Sequence, residues 1–198
     1  WHMKTKPSGF DAWEVFSGQG SYYNPDLHGP NGKRRVEGHS TDVVTDIGLE
    51  WLEEGRDKTK PFAVMIQHKA PHRNWKPSIK DLELYQDMSM PEPPTLFDNY
   101  EGRVAASNHK MGIDGHMRMA SDLMMFKDNE SDKVLGRFTP EQRKAYLAAF
   151  EKENAAFLAN PPTGKALVRW KFQRYMKNYL RCVAGVDRNV GRVLDKLD

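Results

Sequence analysis

The sequence predicts an α/β domain in which helices flank a mostly parallel sheet. Three consecutive segments indicate this class: a helical apolar stripe from residue 43 to 52, a charged loop at residues 53–60, and the apolar run Phe-Ala-Val-Met-Ile at residues 62–66. The length and β-branching of this run are typical of a strand buried on both faces. Helix, tight loop and buried strand together favour an α/β domain.

The first of these helices is expected to begin at Ser40, Thr41 and Asp42. The two hydroxyl groups can cap free backbone N–H groups, and the carboxylate suits the first turn. The apolar run is expected to follow directly after Pro61 and the charged loop.

Two further helices are predicted in the second half of the chain. Thr139, Pro140 and Glu141 open one as N-cap and first-turn residues, and it runs to about residue 158. The string Asn-Pro-Pro-Thr-Gly at residues 160–164 ends it. The last helix is the longest, with an apolar stripe on one side and Lys and Arg residues on the other, which we expect to be solvated.

Composition limits the functional classes. Hydrophobic residues make up 38% and charged residues 29% of the 198 positions, which indicates a globular chain rather than a disordered one. No apolar run is long enough for a transmembrane helix. A net charge of +3, with both signs intermixed, argues against nucleic acid as the main partner. The single cysteine, Cys182, has no activating neighbours and is expected to serve in packing.

A polar cluster follows the predicted strand, with His68, Lys69, His72 and Arg73 as its charged or titratable members. Ligands of open α/β sheets bind beyond the carboxyl ends of strands, where this cluster would emerge. Pro71 disfavours a helix and therefore a helical pair of metal-binding histidines. A cationic loop suits an anionic group. A solvated surface loop remains the alternative that the residues leave open.

Five short strings resemble motifs of one protein family. They span the whole chain and occur along it in the same order as in that family. They are His68-Lys69-Ala70-Pro71-His72, Trp1-His2-Met3, Gly9-Phe10-Asp11-Ala12-Trp13, Tyr22-Tyr23-Asn24-Pro25 and residues 179–191. The first is similar to the sulfatase signature that follows a buried strand, and the second to the tail of a Gly-Lys-Trp-His motif. The chain resembles the type-I sulfatases of the alkaline-phosphatase-like superfamily, with a character similar to bacterial N-acetylglucosamine-6-sulfatases and glycosaminoglycan sulfatases.

This resemblance implies a role for four residues. His72 and His2 are expected to be catalytic, and His68 and Lys69 to bind substrate. In the family, a formylglycine nucleophile made from a Cys/Ser-x-Pro-x-Arg motif attacks sulfur, Ca²⁺ steadies the sulfate oxygens, and a histidine protonates the departing sugar oxygen. Positive groups and a general acid are what such a reaction needs.

The sequence also departs from the family pattern, because no Cys or Ser lies in the nucleophile motif. We therefore expect residues 1–198 to be the central part of the N-terminal catalytic domain, truncated at both ends and only part of the sulfatase core. The formylglycine and the Ca²⁺ ligands would lie outside this chain, with no metal ligands within it, and the chain alone would be inactive. The resemblance further implies a periplasmic or secreted protein that acts on sulfated carbohydrate, without a nucleic-acid or membrane partner.

Two other functions stay open. One is a phosphonate or phosphodiester hydrolase of the same superfamily, which the nucleophile motif would distinguish. The other is a non-catalytic module that binds sulfated glycan through its basic loop.

Overall fold

A computed structural model describes residues 6–198 of the chain. In chain order, the elements are strands β1 (Val15–Phe16), β2 (Asp26–Gly29) and β3 (Gly32–Arg35), helix α1 (Ser40–Glu50) with a π-turn at Trp51–Gly55, a 3₁₀ turn at Ile79–Asp81, and helices α2 (Val104–Ser107), α3 (Ile113–His116), α4 (Met119–Leu123), α5 (Glu130–Val134), α6 (Pro140–Ala159) and α7 (Gly164–Leu197).

The described strands form one small antiparallel sheet in the order β1-β2-β3. Val15 pairs with His28, and Leu27 pairs with Arg34. The exposed edge of β3 is charged, and Arg34 donates to both carboxylate oxygens of Glu14 across the sheet. Charged side chains of this kind protect a short edge from pairing with another chain.

The apolar run at residues 62–66 is not a strand in the described structure, so this prediction is wrong. A buried strand needs ladder partners, and β1 to β3 pair only with one another. The run instead lies against α1 and its π-turn. The Ile66 side chain packs so closely on Gly48 of α1 that any Cβ at Gly48 would clash with it. The centre of the Phe62 ring is 6.2 Å from that of the Trp51 ring. Met65 is 71% exposed.

Helix α1 begins where predicted, but with a different cap. Its N-cap residue is His39, with no side-chain cap hydrogen bond. The hydroxyl groups of Ser40 and Thr41 are buried and have no hydrogen-bond partner among the described residues. The backbone N–H of Ser40 is instead satisfied by the Tyr22 carbonyl at 2.7 Å. A backbone acceptor from a neighbouring loop therefore does what the hydroxyl groups were expected to do.

Helix α6 confirms its prediction. Thr139 accepts from the backbone N–H of Gln142, while the Gln142 side chain accepts from the backbone N–H of Thr139. This reciprocal capping box and the proline at the start of the helix define its N-terminus. The break at residues 160–164 and the long α7 that follows are also confirmed.

The chain divides into two compact units. Of the described residues, unit 1 comprises 6–72, Lys76–Asp81 and Cys182–Asp198, and unit 2 comprises Arg73–Trp75 and Leu82–Arg181. Unit 1 has its described core around Tyr22, Tyr23, Leu27, Val43 and Leu52.

Unit 2 is largely helical, and its most buried apolar side chains include Leu123, Met124, Leu135, Tyr146 and Phe150. The first part of α7 belongs to unit 2 and its last part to unit 1.

The charged side of α7 is not solvated throughout, contrary to the prediction. Lys171, Arg174 and Arg181 are buried, whereas Val190 and Leu194 of the apolar stripe are 46% and 56% exposed. Each buried cation donates to a backbone carbonyl of unit 2: Lys171 to Asp114, Arg174 to Leu123 and Arg181 to Leu84. A buried charge is tolerated when it is hydrogen-bonded, and these loop carbonyls supply the acceptors.

Candidate active site

The predicted polar loop lies in an irregular segment after residues 62–66. No residue between 67 and 76 belongs to a helix or strand. The backbone N–H of His72 donates to the Lys69 carbonyl at 3.0 Å, which closes a tight turn, and the Ala70–Pro71 peptide bond is cis. The His72 residue at the end of this turn is exposed. The turn therefore presents His72 at the surface of unit 1.

Three buried ring side chains hold the carbonyl groups of this loop. The Tyr22 hydroxyl donates to the His72 carbonyl at 2.7 Å, and the Tyr23 hydroxyl donates to the Pro77 carbonyl at 2.8 Å. The His39 Nε2–H donates to the Lys76 carbonyl at 2.9 Å. Each of the three residues is less than a tenth exposed. These three bonds thus hold the loop by its backbone carbonyl groups.

The protonation states of these donors follow from burial. Burial raises the pKa of Tyr22 and of Tyr23, so both phenols stay protonated and remain donors at physiological pH. Burial also lowers the pKa of His39, against the smaller opposing effect of the Lys76 carbonyl. Because Nε2 carries the proton, Nδ1 is the unprotonated nitrogen, and it is buried without a partner among the described residues.

Lys69 and Lys76 place two amines in the same part of unit 1. The Lys69 Nζ donates to the Gln19 carbonyl at 3.0 Å and lies 5.1 Å from the centre of the Tyr22 ring. Burial lowers the pKa of Lys69. Burial, and secondarily the charge of Lys69, lowers the pKa of Lys76 to about 8. The two cations therefore repel each other in a partly desolvated place, which favours an anion nearby.

His68 is a half-buried member of the loop. Burial lowers its pKa, and the charge of Asp42 opposes this effect. Its Nδ1 is buried without a hydrogen-bond partner among the described residues. We therefore expect His68 to be neutral near pH 7.

The positive charge of Arg73 is paired with a carboxylate, so it adds less to a cationic loop than the sequence suggested. Its Nε donates to the buried Asp122 carboxylate at 2.9 Å, and its guanidinium also donates to the His116 carbonyl, all within unit 2. Asn74 donates to the same carboxylate. Asp122 thereby neutralises Arg73, which leaves Lys69 and Lys76 as the basic residues of the loop in unit 1.

The structure brings His68, Lys69 and His72 together on one loop, as the sequence predicted, while His2 lies outside the described residues. Sequence reasoning did not assign a role to Tyr22, Tyr23, His39 or Lys76. The tyrosine pair stands in one of the strings quoted above, but its contact with the loop spans 50 residues of sequence. Periodicity carries no information about a pairing so distant.

A metal centre is not found in the part of the chain that the structure describes. No group of three or more His, Cys, Asp or Glu side chains there could hold a metal ion. The donor sets on these residues do not fit Ca²⁺, which needs six to eight oxygen ligands. Likewise, none of the helices in the described ranges is long and apolar enough to cross a membrane.

Comparison with known proteins assigns the whole chain to one family. The chain belongs to the sulfatase family, whose model matches residues 1–198. It is 39% identical, over 211 aligned residues, to the N-acetylglucosamine-6-O-sulfatase of Bacteroides thetaiotaomicron, an alignment that covers 100% of this chain and 38% of that relative.

A solved structure of a protein in complex with its substrate D-glucosamine-2-N,6-O-disulfate superimposes with a TM-score of 0.92 and 38% identity, and covers 100% of this chain and 42% of that one. The family resemblance and the alkaline-phosphatase-like sulfatase fold predicted from the sequence are therefore confirmed. The chain spans less than half the length of either relative.

Proposed function

We propose that this chain is the central part of a sulfatase that hydrolyses sulfate esters of glycans such as 6-sulfated N-acetylglucosamine. The observation that carries the proposal concerns His72. This histidine is exposed, and its backbone carbonyl accepts a hydrogen bond from a buried tyrosine. An exposed histidine whose backbone is held in place suits proton transfer to a substrate. The sulfatase activity of one relative and the sulfated glucosamine substrate of the other support this class of substrate.

In this proposal His72 donates a proton to the sugar oxygen as its bond to sulfur breaks. An alkoxide is a poor leaving group near neutral pH, so a general acid at this oxygen lowers the barrier. Imidazole can supply that proton in the physiological range. His2 is proposed as the second catalytic residue of the same site.

Lys69 and His68 are proposed to bind substrate. An ammonium group has three N–H donors, and the bond to Gln19 uses one of them. A sulfate oxygen could accept another, and Lys76 adds a second positive charge in the same part of unit 1. Cations that the fold already holds in place can stabilise an anionic substrate without rearrangement.

The proposal needs residues that this sequence does not contain. A formylglycine nucleophile would attack sulfur and Ca²⁺ would neutralise sulfate oxygens, and both would depend on residues elsewhere in an intact enzyme. The sequence itself has no Cys/Ser-x-Pro-x-Arg motif. We further propose that the intact enzyme is periplasmic or secreted, where sulfated glycans are met.

The test is His72→Ala in an intact sulfatase that carries this sequence. We expect turnover of a sugar 6-sulfate to fall by about two to four orders of magnitude, the usual scale of general acid catalysis. An activated aryl sulfate leaves as a stable phenolate, so its turnover should fall much less. Steady-state kinetics on both substrates measure the difference.

His68→Ala is the matched control, because it removes an imidazole from the same loop. It should raise KM more than it lowers kcat, as expected for a binding residue. Equal losses on the two substrates would remove the general-acid role from His72. Wild-type rates on both would overturn the assignment of this loop to catalysis.

A further inference from the structure

We propose that Tyr22 is the positioning residue of the catalytic histidine: its phenol fixes the His72 carbonyl and thereby sets the reach of the imidazole. This inference rests on the proposed function, in which His72 is the general acid. It assigns a part in the reaction to a side chain that lies 50 residues earlier in the chain.

The tyrosine is itself immobilised, which is what a positioning group requires. Tyr22 is 3% exposed, its ring lies 5.6 Å from the His39 ring, and the Lys69 ammonium stands 5.1 Å from its centre. The Cys182 thiol is hydrogen-bonded to the same hydroxyl. Contacts on the ring and on the oxygen thus hold the donor in place.

The exposed position of His72 makes the backbone anchor consequential. His72 is exposed at the surface of unit 1, so the reach of its side chain depends on where its backbone is held. The 2.7 Å bond from Tyr22 and the 3.0 Å bond from the His72 N–H to the Lys69 carbonyl fix both polar groups of this residue's backbone. Proton transfer needs heavy atoms within hydrogen-bond reach, and a displacement of about 1 Å can cost roughly a hundredfold in rate.

Tyr23 offers a matched comparison. Its hydroxyl donates at 2.8 Å to the carbonyl of Pro77, five residues beyond His72, and this bond is buried whereas that of Tyr22 is part-buried. Both tyrosines are 3% exposed. Removing either hydroxyl leaves one carbonyl without its donor, so Tyr23→Phe should lose at least as much stability as Tyr22→Phe, while only Tyr22→Phe should affect His72.

The experiment compares Tyr22→Phe and Tyr23→Phe in an intact sulfatase that carries this sequence. For Tyr22→Phe we expect kcat on a sugar 6-sulfate to fall about tenfold or more, with KM within about twofold and little change on an aryl sulfate. For Tyr23→Phe we expect rates on both substrates within about threefold of the parent. Thermal melts should show a decrease in Tm for Tyr23→Phe that is at least as large as that for Tyr22→Phe.

A double variant separates this inference from the proposed function. If Tyr22 acts through His72, then adding Tyr22→Phe to His72→Ala should leave the sugar 6-sulfate rate of His72→Ala unchanged. Equal kinetic effects of Tyr22→Phe and Tyr23→Phe, or additive losses in the double variant, would overturn the positioning role. Parent-like rates of His72→Ala itself would overturn the proposed function instead.

Discussion

Lys76 carries its amine in a place that penalises charge. Burial lowers its pKa from the ordinary 10.5 to about 8, with the nearby charge of Lys69 as the second cause. The folded protein therefore releases this proton at a lower pH than the unfolded chain. Below about pH 8 both states bind the proton and the folded state bears the full penalty, whereas between pH 8 and 10.5 the unfolded state binds more protons and folding becomes more favourable.

We expect Lys76→Met to be more stable than the parent at pH 7, by at most about 3 kcal/mol, the equivalent of the full pKa difference. This advantage should shrink as the pH is raised towards 10, since the parent lysine is then neutral in the folded state. Thermal or urea unfolding of the intact enzyme at pH 7 and 9.5 measures it. Lys60→Met, which removes a largely exposed lysine, should show no such pH dependence. If the stability advantage of Lys76→Met stays constant with pH, the buried charge of Lys76 is not its cause.

Helix α7 buries cations where the sequence suggested a solvated face. The guanidinium of Arg174 is 1% exposed and donates to the Leu123 carbonyl at 2.9 Å, and it also binds Glu153 and Asn154. It lies 4.4 Å from the centre of the Phe150 ring. One side chain thus connects α7 with α6 and with the end of α4.

Arg174→Met should destabilise the intact protein by about 2–4 kcal/mol, because it leaves the Leu123 carbonyl and the Asn154 amide oxygen buried without their donor. Arg169→Met is the matched control on the same helix: this arginine is half exposed and pairs with Glu92 at the surface, so its loss should change stability by less than about 1 kcal/mol. Thermal melts of both variants measure the difference in stability. Similar decreases in Tm would show that the buried network of Arg174 contributes no more than a surface ion pair.

The helices show what local sequence can and cannot predict. The capping box of α6 and the Pro-rich break after it are encoded within a few residues, so both were predicted correctly. The buried side of α7 was not, because the acceptors of Lys171, Arg174 and Arg181 are carbonyls more than 50 residues away. Residues 62–66 failed for a related reason: an apolar run becomes a strand only when a neighbouring strand completes its hydrogen bonds.

The site shows the same division between chemistry and support. His68, Lys69 and His72 could be singled out from the sequence because they stand together in one short string, and their roles stay a proposal. The side chains that hold their loop could not, since Tyr22, Tyr23 and His39 reach it from 37 to 54 residues away. A short motif marks candidate site residues more readily than the distant residues that support them.

At the scale of the whole molecule, the sequence holds the loop of His68 to His72 that we propose as part of a sulfatase site, but no nucleophile motif. It covers 38% of its curated relative and 42% of the solved one. Groups that act together in one reaction lose almost all their effect when a central member is missing. If His72 and Lys69 have the roles proposed above, they need a nucleophile from another part of an intact enzyme in order to act.

We therefore expect the purified chain of residues 1–198 to hydrolyse no sulfate ester. An activated aryl sulfate is the most permissive probe, because its leaving group needs no proton, and the chain should release no phenol from it above a heat-treated control. An intact sulfatase that carries the sequence, assayed in parallel, should release phenol readily. Turnover of the aryl sulfate by the 198-residue chain above the heat-treated control would show that the residues present here suffice for catalysis, and that the nucleophile is one we have not recognised.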